Sequence, residues 1–453
     1  MTRRQFLAQS ASFAAAFVAE PANAIRIRLN SAKPLGAVIP RNFVGLGYEI
    51  SSVARTGLLS AANHSYVELV RGLGPQGVIR IGGNTSDYST FSAGGSAVSA
   101  PKATVINAAN LQELGSFLEA TGWDLIWGLN LGRGTEKEAV DEAQAVAISA
   151  KGRLLALEIG NEPDLFGHNA THRPTGYGYK DFLLEYRRYK DAIRRVLPGV
   201  AFAGPDVAGA TDWVRQFATD EGHDLRLLTH HYYRECANPT STLEKLLKDD
   251  PKLPPELAQL SAASAASHLP YRICETNSFC GGGKLGVSDT FGAALWVLDF
   301  MFKLAAAGAA GVNMETGVNQ VGFISFYSPI GDDERGAYNA APEYLGMRAF
   351  VQASQGRLIS AEYDPGAINL VAYAVENRSR QMTVNHRQQR RHTRSRGGHI
   401  SGASADSGEF VPPDGSIAPV QRRCKPVPAR TVENSGGPVP GAVGGGECRD
   451  CCC

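Results

Sequence analysis

The sequence predicts an α/β chain: a (β/α)8 TIM barrel with a small β-domain appended. Three observations carry this. Between Phe43 and Gln355, eight short apolar or β-branched runs are separated by amphipathic stretches of helical period. The runs are apolar nearly throughout instead of alternating, the pattern of parallel strands covered on both faces. The two flanks, Ala24–Leu29 and the stretch from Ile368, do alternate with period two and read as a separate β-domain built from both ends. Eight strand–helix units over roughly 310 residues fit a closed barrel. A doubly wound open sheet is the alternative, and the absence of a Gly-x-Gly-x-x-Gly turn after the first run argues against its nucleotide-binding form.

Taken in order, residues 1–24 read as an export signal. Arg3-Arg4-Gln5-Phe6-Leu7 precedes the Ala-rich run Ala8–Ala19, and Ala22-Asn23-Ala24 supplies a small-x-small cleavage site. Paired arginines before Phe-Leu resemble a twin-arginine signal, so a periplasmic or extracellular location is expected, with the mature chain starting near Ile25. Residues 25–42 hold a strand of the accessory β-domain and 43–355 the barrel. The expected strands are Phe43–Ile50, Gly77–Gly83, Trp123–Gly132, Leu154–Gly160, Ala201–Pro205, Leu225–Tyr233, Tyr271–Glu275 and Gly311–Met314. Helices are expected over Ser65–Leu73, Ala108–Ala120, Thr135–Ala150, Tyr179–Val196 and Thr290–Ala307, with Thr135 as an N-cap before first-turn acids. Residues 356–377 open the C-terminal β-domain.

The chain changes character after Asn377. Residues 378–453 carry 12 Lys/Arg against 6 Asp/Glu, whereas the remainder carries 33 against 38, so the overall net charge of +1 conceals two kinds of sequence. The tail has no Leu, Trp or Tyr and cannot bury enough apolar area to offset its chain entropy. It reads as translation in the wrong frame or a misjoined gene, and as disordered. Its basic run lacks interleaved stacking aromatics, so no nucleic-acid partner is expected. The closing Cys448-x-x-Cys451-Cys452-Cys453 has no second ligand pair at zinc-site spacing. Of the eight cysteines five lie in this tail; Cys236, Cys274 and Cys280 are too few and too scattered to suggest a disulfide framework. With 43% hydrophobic and 20% charged residues, the whole is neither disordered, collagen-like nor a coiled coil, and no apolar run is long enough for a membrane span.

A barrel of this type places its chemistry at the C-terminal ends of its strands. The run Leu154–Gly160 ends in Asn161-Glu162-Pro163, and Tyr271–Cys274 ends in Glu275-Thr276-Asn277, so two glutamates project from strand ends four and seven. Paired carboxylates flanking one bond are the working parts of glycoside hydrolysis: one protonated to donate to the leaving oxygen, the other ionised to attack the anomeric carbon. A lone strand-end Glu is more often a cap or a surface charge, but Asn161 can bond a sugar 2-hydroxyl and Pro163 stops the strand and aims the turn. Glu158, inside its strand, is expected to be structural. Glu49 closes strand one, Asp87 lies beyond strand two and His230-His231-Tyr232-Tyr233 closes strand six, and Glu, Asp and Tyr are groups that read sugar hydroxyls. Adjacent strand residues point to opposite faces, so at most one histidine faces the site, and no metal is expected.

Arg80-Ile-Gly-Gly-Asn with Asp87, Glu158-Ile-Gly-Asn-Glu162-Pro, His231-Tyr-Tyr and the run Glu275–Gly283 with Ser288–Phe291 resemble glycoside hydrolase family 79, the β-glucuronidases and heparanases, from about Ile25 to about Asn377. The resemblance implies a barrel with an appended β-sandwich, here truncated, and retaining, cofactor-free hydrolysis of terminal β-glucuronosyl groups in a glycan or glycoside. It implies Glu162 as acid/base and Glu275 as nucleophile. Asn161, Tyr232, Glu49 and Asp87 would lie near the sugar, with Tyr232 also orienting the nucleophile. Cys280 stands where the family commonly has Tyr, a weaker donor in its place. The carboxylate would be read by Tyr hydroxyls, backbone amides or one cation, with Gly322 and Phe323, Lys284 and Arg335 as candidates. The alternatives are a related retaining glycosidase on neutral or internal β-linkages and an inactive carbohydrate-binding protein. With the sandwich lost, the apolar faces of Ile25–Leu29 and Ile368–Val375 are expected to lack a partner.

Overall fold

The structure, a computed structural model, describes residues 27–92, 103–318, 325–332, 337–366, 369–377, 382–389 and 395–401; for the last two stretches the backbone alone is described. The expected signal segment lies outside these residues. Among them, no helix is long and apolar enough to cross a membrane.

Eight parallel strands close into a barrel. In order they are Val44–Glu49, Val78–Gly82, Asp124–Leu129, Leu154–Ile159, Phe202–Val207, Leu225–Tyr233, Tyr271–Asn277 and Gly311–Glu315. The eighth returns to pair with the first, Val312 opposite Val44, which removes every open edge. Val78, Ile126, Ala156, Ala203, Leu227 and Cys274 pack as one apolar layer inside the cylinder. Above it, toward the C-terminal ends, the interior turns polar.

The outer helices begin where the sequence says they should. Thr135 Oγ1 accepts from Glu138 N at 3.3 Å, while the Glu138 carboxylate takes the Thr135 N–H at 2.9 Å, a reciprocal cap on Glu136–Ser149. Helix Phe291–Ala306 is buried nearly all round because it lies between the barrel and the accessory sheet. There Tyr373 stacks on Phe302, centroids 4.7 Å apart, and donates to Asp299 at 2.7 Å.

That sheet has five antiparallel strands in the order Ile27–Val38, Arg357–Tyr363, Asn369–Glu376, Met382–Gln389 and Ser395–Ser401. Two expectations change here. The chain does not lose structure at Asn377: Met382–Gln389 pairs along the full length of Asn369–Glu376, whose outer edge would otherwise expose unpaired amides. Nor do the apolar faces lack partners, since Ile27 packs with Ile359, Ala372 and Ala374 in a small core of their own. A strand from each end closes that core, which linear reading cannot see. Residues 402–453, including the terminal cysteines, lie outside the described set.

Candidate active site

The polar end of the barrel is organised around Arg80, which sits inside the otherwise apolar second strand and is fully buried. A buried guanidinium needs all its donors answered. Its Nε faces Glu158 at 3.2 Å, Nη1 donates to Glu275 Oε2 at 2.8 Å, and Nη2 donates to Asn161 Oδ1 at 2.8 Å and to Asp206 at 2.5 Å. Strands two, four, five and seven are thus tied through one side chain. Gly82 makes room for it: a Cβ there would lie 2.4 Å from the Arg80 guanidinium carbon.

Glu162 and Glu275 meet across this end. Their nearest carboxylate oxygens, with one nitrogen of His231, all lie within 4.8 Å of one another. Tyr233 donates to Glu275 Oε1 at 3.1 Å, so each oxygen of Glu275 has a donor. Glu275 owes its aim to a β-bulge. The register against strand six slips between Ile273 and Glu275, so Cys274 and Glu275 both reach the inside, where strict alternation would send one outward. Glu162 is aimed by a left-handed backbone, φ +51°, before Pro163 opens a short 3-10 turn. Its N–H donates to Asp206 O at 2.9 Å.

His231 stands between two acids. Nε2 is 2.7 Å from Asp206 and Nδ1 is 3.0 Å from Glu162. Burial alone would strip its proton, but the charges of Asp206 and Glu275 and the bonds to Asp206 and Glu162 outweigh it and hold the imidazolium well above its usual range. With both nitrogens donating to carboxylates, His231 has no lone pair left for a metal. Asp206 is a second left-handed residue, φ +59°, at another register slip. Burial pushes its carboxyl up, yet Arg80 and His231 together hold it below the carboxylate range.

Three other acids shift the opposite way. Burial, aided by the nearby Glu275 charge, lifts Glu162 above its ordinary value despite the His231 bond. Burial first and Glu275 second lift Glu49 to about 7. Glu158 also rises to about 7, from burial and then Asp206. Arg80 and His231 thus hold Asp206 toward its anion, while burial pushes Glu49, Glu158 and Glu162 toward the neutral form.

Several expected site residues are placed differently. Tyr232 faces out of the barrel, donates to Asp250 at 2.6 Å and stacks on Phe300; Tyr233, one position on, shares the inward face of His231. That parity was readable in the sequence. Asp87 accepts from the amides of Leu131, Gly132 and Asn161 at 3.1, 2.8 and 3.2 Å and is 1% exposed, so it clamps the loops after strands three and four. Glu49 accepts from Asn84 N and from Thr85 N and Oγ1, tying it to the second-strand loop beside Glu275. Cys280 is not a free thiol: it is bonded to Cys236. The third interior cysteine, Cys274, is free and buried. Gly322, Phe323 and Arg335 lie outside the described residues.

No family model matches the chain. It is 28% identical over 307 residues to the β-glucuronidase of Aspergillus niger, covering 60% of this chain and 56% of that protein. It is 27% identical over 397 residues to the β-glucuronidase of Neurospora crassa, covering 77% and 69% respectively. The chain thus spans little more than half of the first relative. Among solved structures it resembles a 4-O-α-L-rhamnosyl-β-D-glucuronidase from Fusarium oxysporum in complex with Rha-GlcA, TM-score 0.63, 20% identity, covering 80% of each chain. It also resembles a family 51 α-L-arabinofuranosidase from Bifidobacterium longum, TM-score 0.59, 14% identity, covering 80% of this chain and 84% of that one. At these identities the structural likeness speaks for the glycosidase barrel as a fold.

Proposed function

We propose that this chain is a retaining, exo-acting β-glucuronidase that removes terminal β-linked glucuronosyl groups by double displacement. The observation that carries the reading is the approach of Glu162 and Glu275 to within 4.8 Å, oxygen to oxygen. Retaining enzymes hold their carboxyl groups about 5–5.5 Å apart, inverting ones about 6.5–9.5 Å to admit a water. The sugar class draws support from the two curated relatives, both named β-glucuronidase.

In the first step Glu275 attacks the anomeric carbon while Glu162 protonates the departing oxygen. Arg80 and Tyr233 suit Glu275 to this: a donor on each of its two oxygens fixes its aim. Burial suits Glu162, because it lifts the carboxyl above its ordinary value, toward the protonated form a donor needs. As the glycosyl-enzyme forms, the negative charge of Glu275 is lost and one of the influences raising Glu162 goes with it. Glu162 then takes a proton from water, which attacks the same carbon and releases the sugar with its configuration retained. Asn161 gives its oxygen to Arg80, which leaves its N–H2 as the end offered to a sugar hydroxyl.

An exported location fits the Cys236–Cys280 bridge, since such bonds persist in oxidising compartments. The test is hydrolysis of an aryl β-glucuronide beside the matching aryl β-glucoside, with a uronate-mimicking covalent probe. Preferred cleavage of the glucuronide, and labelling lost in Glu275→Gln, are expected. Preference for the glucoside, or labelling that persists in that variant, overturns the reading.

A further inference from the structure

The bridge between Cys236 and Cys280 joins positions 44 residues apart, three past Tyr233 and five past Glu275. Its halves belong to the loops that leave strands six and seven at the candidate site. The backbones pair around it: Cys280 N donates to Glu235 O at 3.0 Å and Ala237 N to Cys280 O at 3.1 Å. The strand-six side is anchored, because Glu235 accepts from Ser241 at 2.9 Å and pairs with Lys245 at 2.5 Å. The strand-seven side continues into Gly281, Gly282 and Gly283, all left-handed at φ +76°, +87° and +83°. Three glycines in succession have no side chains to pin them and lose the most freedom when ordered.

This glycine turn touches the machinery. Gly282 O accepts from Phe326 N at 2.5 Å, and a Cβ on Gly283 would lie 3.1 Å from the Tyr327 Cβ. The Tyr327 hydroxyl lies within electrostatic reach of Tyr233, which donates to Glu275 at 3.1 Å. A ring of contacts thus runs from the nucleophile through Tyr233, Tyr327 and the glycine turn to the bridge, and back along strand six.

We propose that the Cys236–Cys280 disulfide is a positioning element for the active-site mouth: it holds the Gly281–Gly283 turn against Phe326 and Tyr327, and its reduction loosens substrate binding while the barrel stays folded. This rests on the glucuronidase reading for its kinetic readout only. Reduction by a dithiol is balanced: one reagent thiolate attacks a bridge sulfur and expels the other cysteine, the second closes the reagent's ring, and two electrons pass to the protein.

The test treats the full chain with dithiothreitol under native conditions, counts thiols, and compares Cys236→Ser/Cys280→Ser, on which the reagent should have no further effect. KM for an aryl β-glucuronide should rise about tenfold with kcat within about twofold, and recover on reoxidation. A bridge that merely stabilised the fold would lower the active fraction, hence kcat, and leave KM alone. Amide exchange should quicken about tenfold in peptides spanning 278–290 and not in the barrel strands. Unchanged KM and exchange after full reduction, or both cysteines reacting with a thiol label before reduction, overturn the proposal. If no glucuronide is hydrolysed in either state, the substrate reading fails, and the exchange comparison still decides the role of the bridge.

Discussion

Asp206 and Glu162 hold opposite nitrogens of one imidazole, 2.7 Å and 3.0 Å from His231. The pair makes a residue of strand five a controller of an acid just past strand four, through a ring on strand six. Asp206 keeps the proton on His231, and His231 in turn moderates Glu162.

Asp206→Asn removes the charge that keeps His231 cationic. Glu162 then loses its nearest positive neighbour, and its carboxyl climbs further. The alkaline limb of kcat/KM for aryl β-glucuronides should move to higher pH, with kcat down by about 10²-fold. A pH profile of the variant checks both; an unmoved limb would sever the link between Asp206 and Glu162.

Tyr233→Phe takes a donor from Glu275 and should lower kcat by roughly 10–100-fold. Tyr232→Phe breaks only an outward bond to Asp250 and should leave kcat within about twofold. Steady-state kinetics on the two variants side by side decide which tyrosine serves the nucleophile.

Glu162→Ala removes the proton donor but not the nucleophile. Substrates with poor leaving groups should lose about 10³-fold or more, while highly acidic phenols leave almost unaided. Added azide should restore turnover and yield a β-configured glycosyl azide, detectable by NMR; an α-product would contradict retention.

Stability should fall as pH rises from about 5 to about 8. Burial holds Glu49, Asp87 and Glu158 at about 7, whereas in the unfolded chain they titrate near 4. Across that window the native state binds more protons, so the unfolding free energy declines with pH. His231, raised when folded, has the same sign: its contribution is full below about 6.5 and is lost as pH climbs through its folded value. Asp206 is opposite, its contribution present above about 4 and lost as pH falls through its depressed folded value. Urea midpoints at pH 5 and pH 8 test this, with the higher expected at pH 5.

Tyr373→Ala removes the stack on Phe302 and the bond to Asp299 that dock the accessory sheet. A loss of about 2–3 kcal/mol is expected for a part-buried ring, with KM unchanged while the protein is folded. Denaturant unfolding together with kinetics at low temperature separates the two.

Much of the barrel was legible because its signals are local. Buried parallel strands need continuous apolar runs, helices need a 3.6-residue stripe, and each run ends where polar groups reappear. Leu154–Ile159 followed by Asn161-Glu162-Pro163 shows this within ten residues, and Tyr271–Cys274 before Glu275 does so again. Tyr233 was also within reach: strand parity from an inward His231 passes over Tyr232. Asp206 was not, since it succeeds an ordinary apolar run and gains its meaning only from Arg80 and His231 across the cylinder.

The amino-acid order by itself determined which segments become staves and which side chains stand at their tips, because period and burial are written residue by residue. Tertiary structure alone decided how those tips face one another. Register slips at Cys274 and Asp206, the four-way contact of Arg80, the union of Cys236 with Cys280 and the shared core of Ile27 with Ala374 depend on neighbours distant in the chain. Charge and close packing act through space, so these relations exist only once the ring of strands has closed.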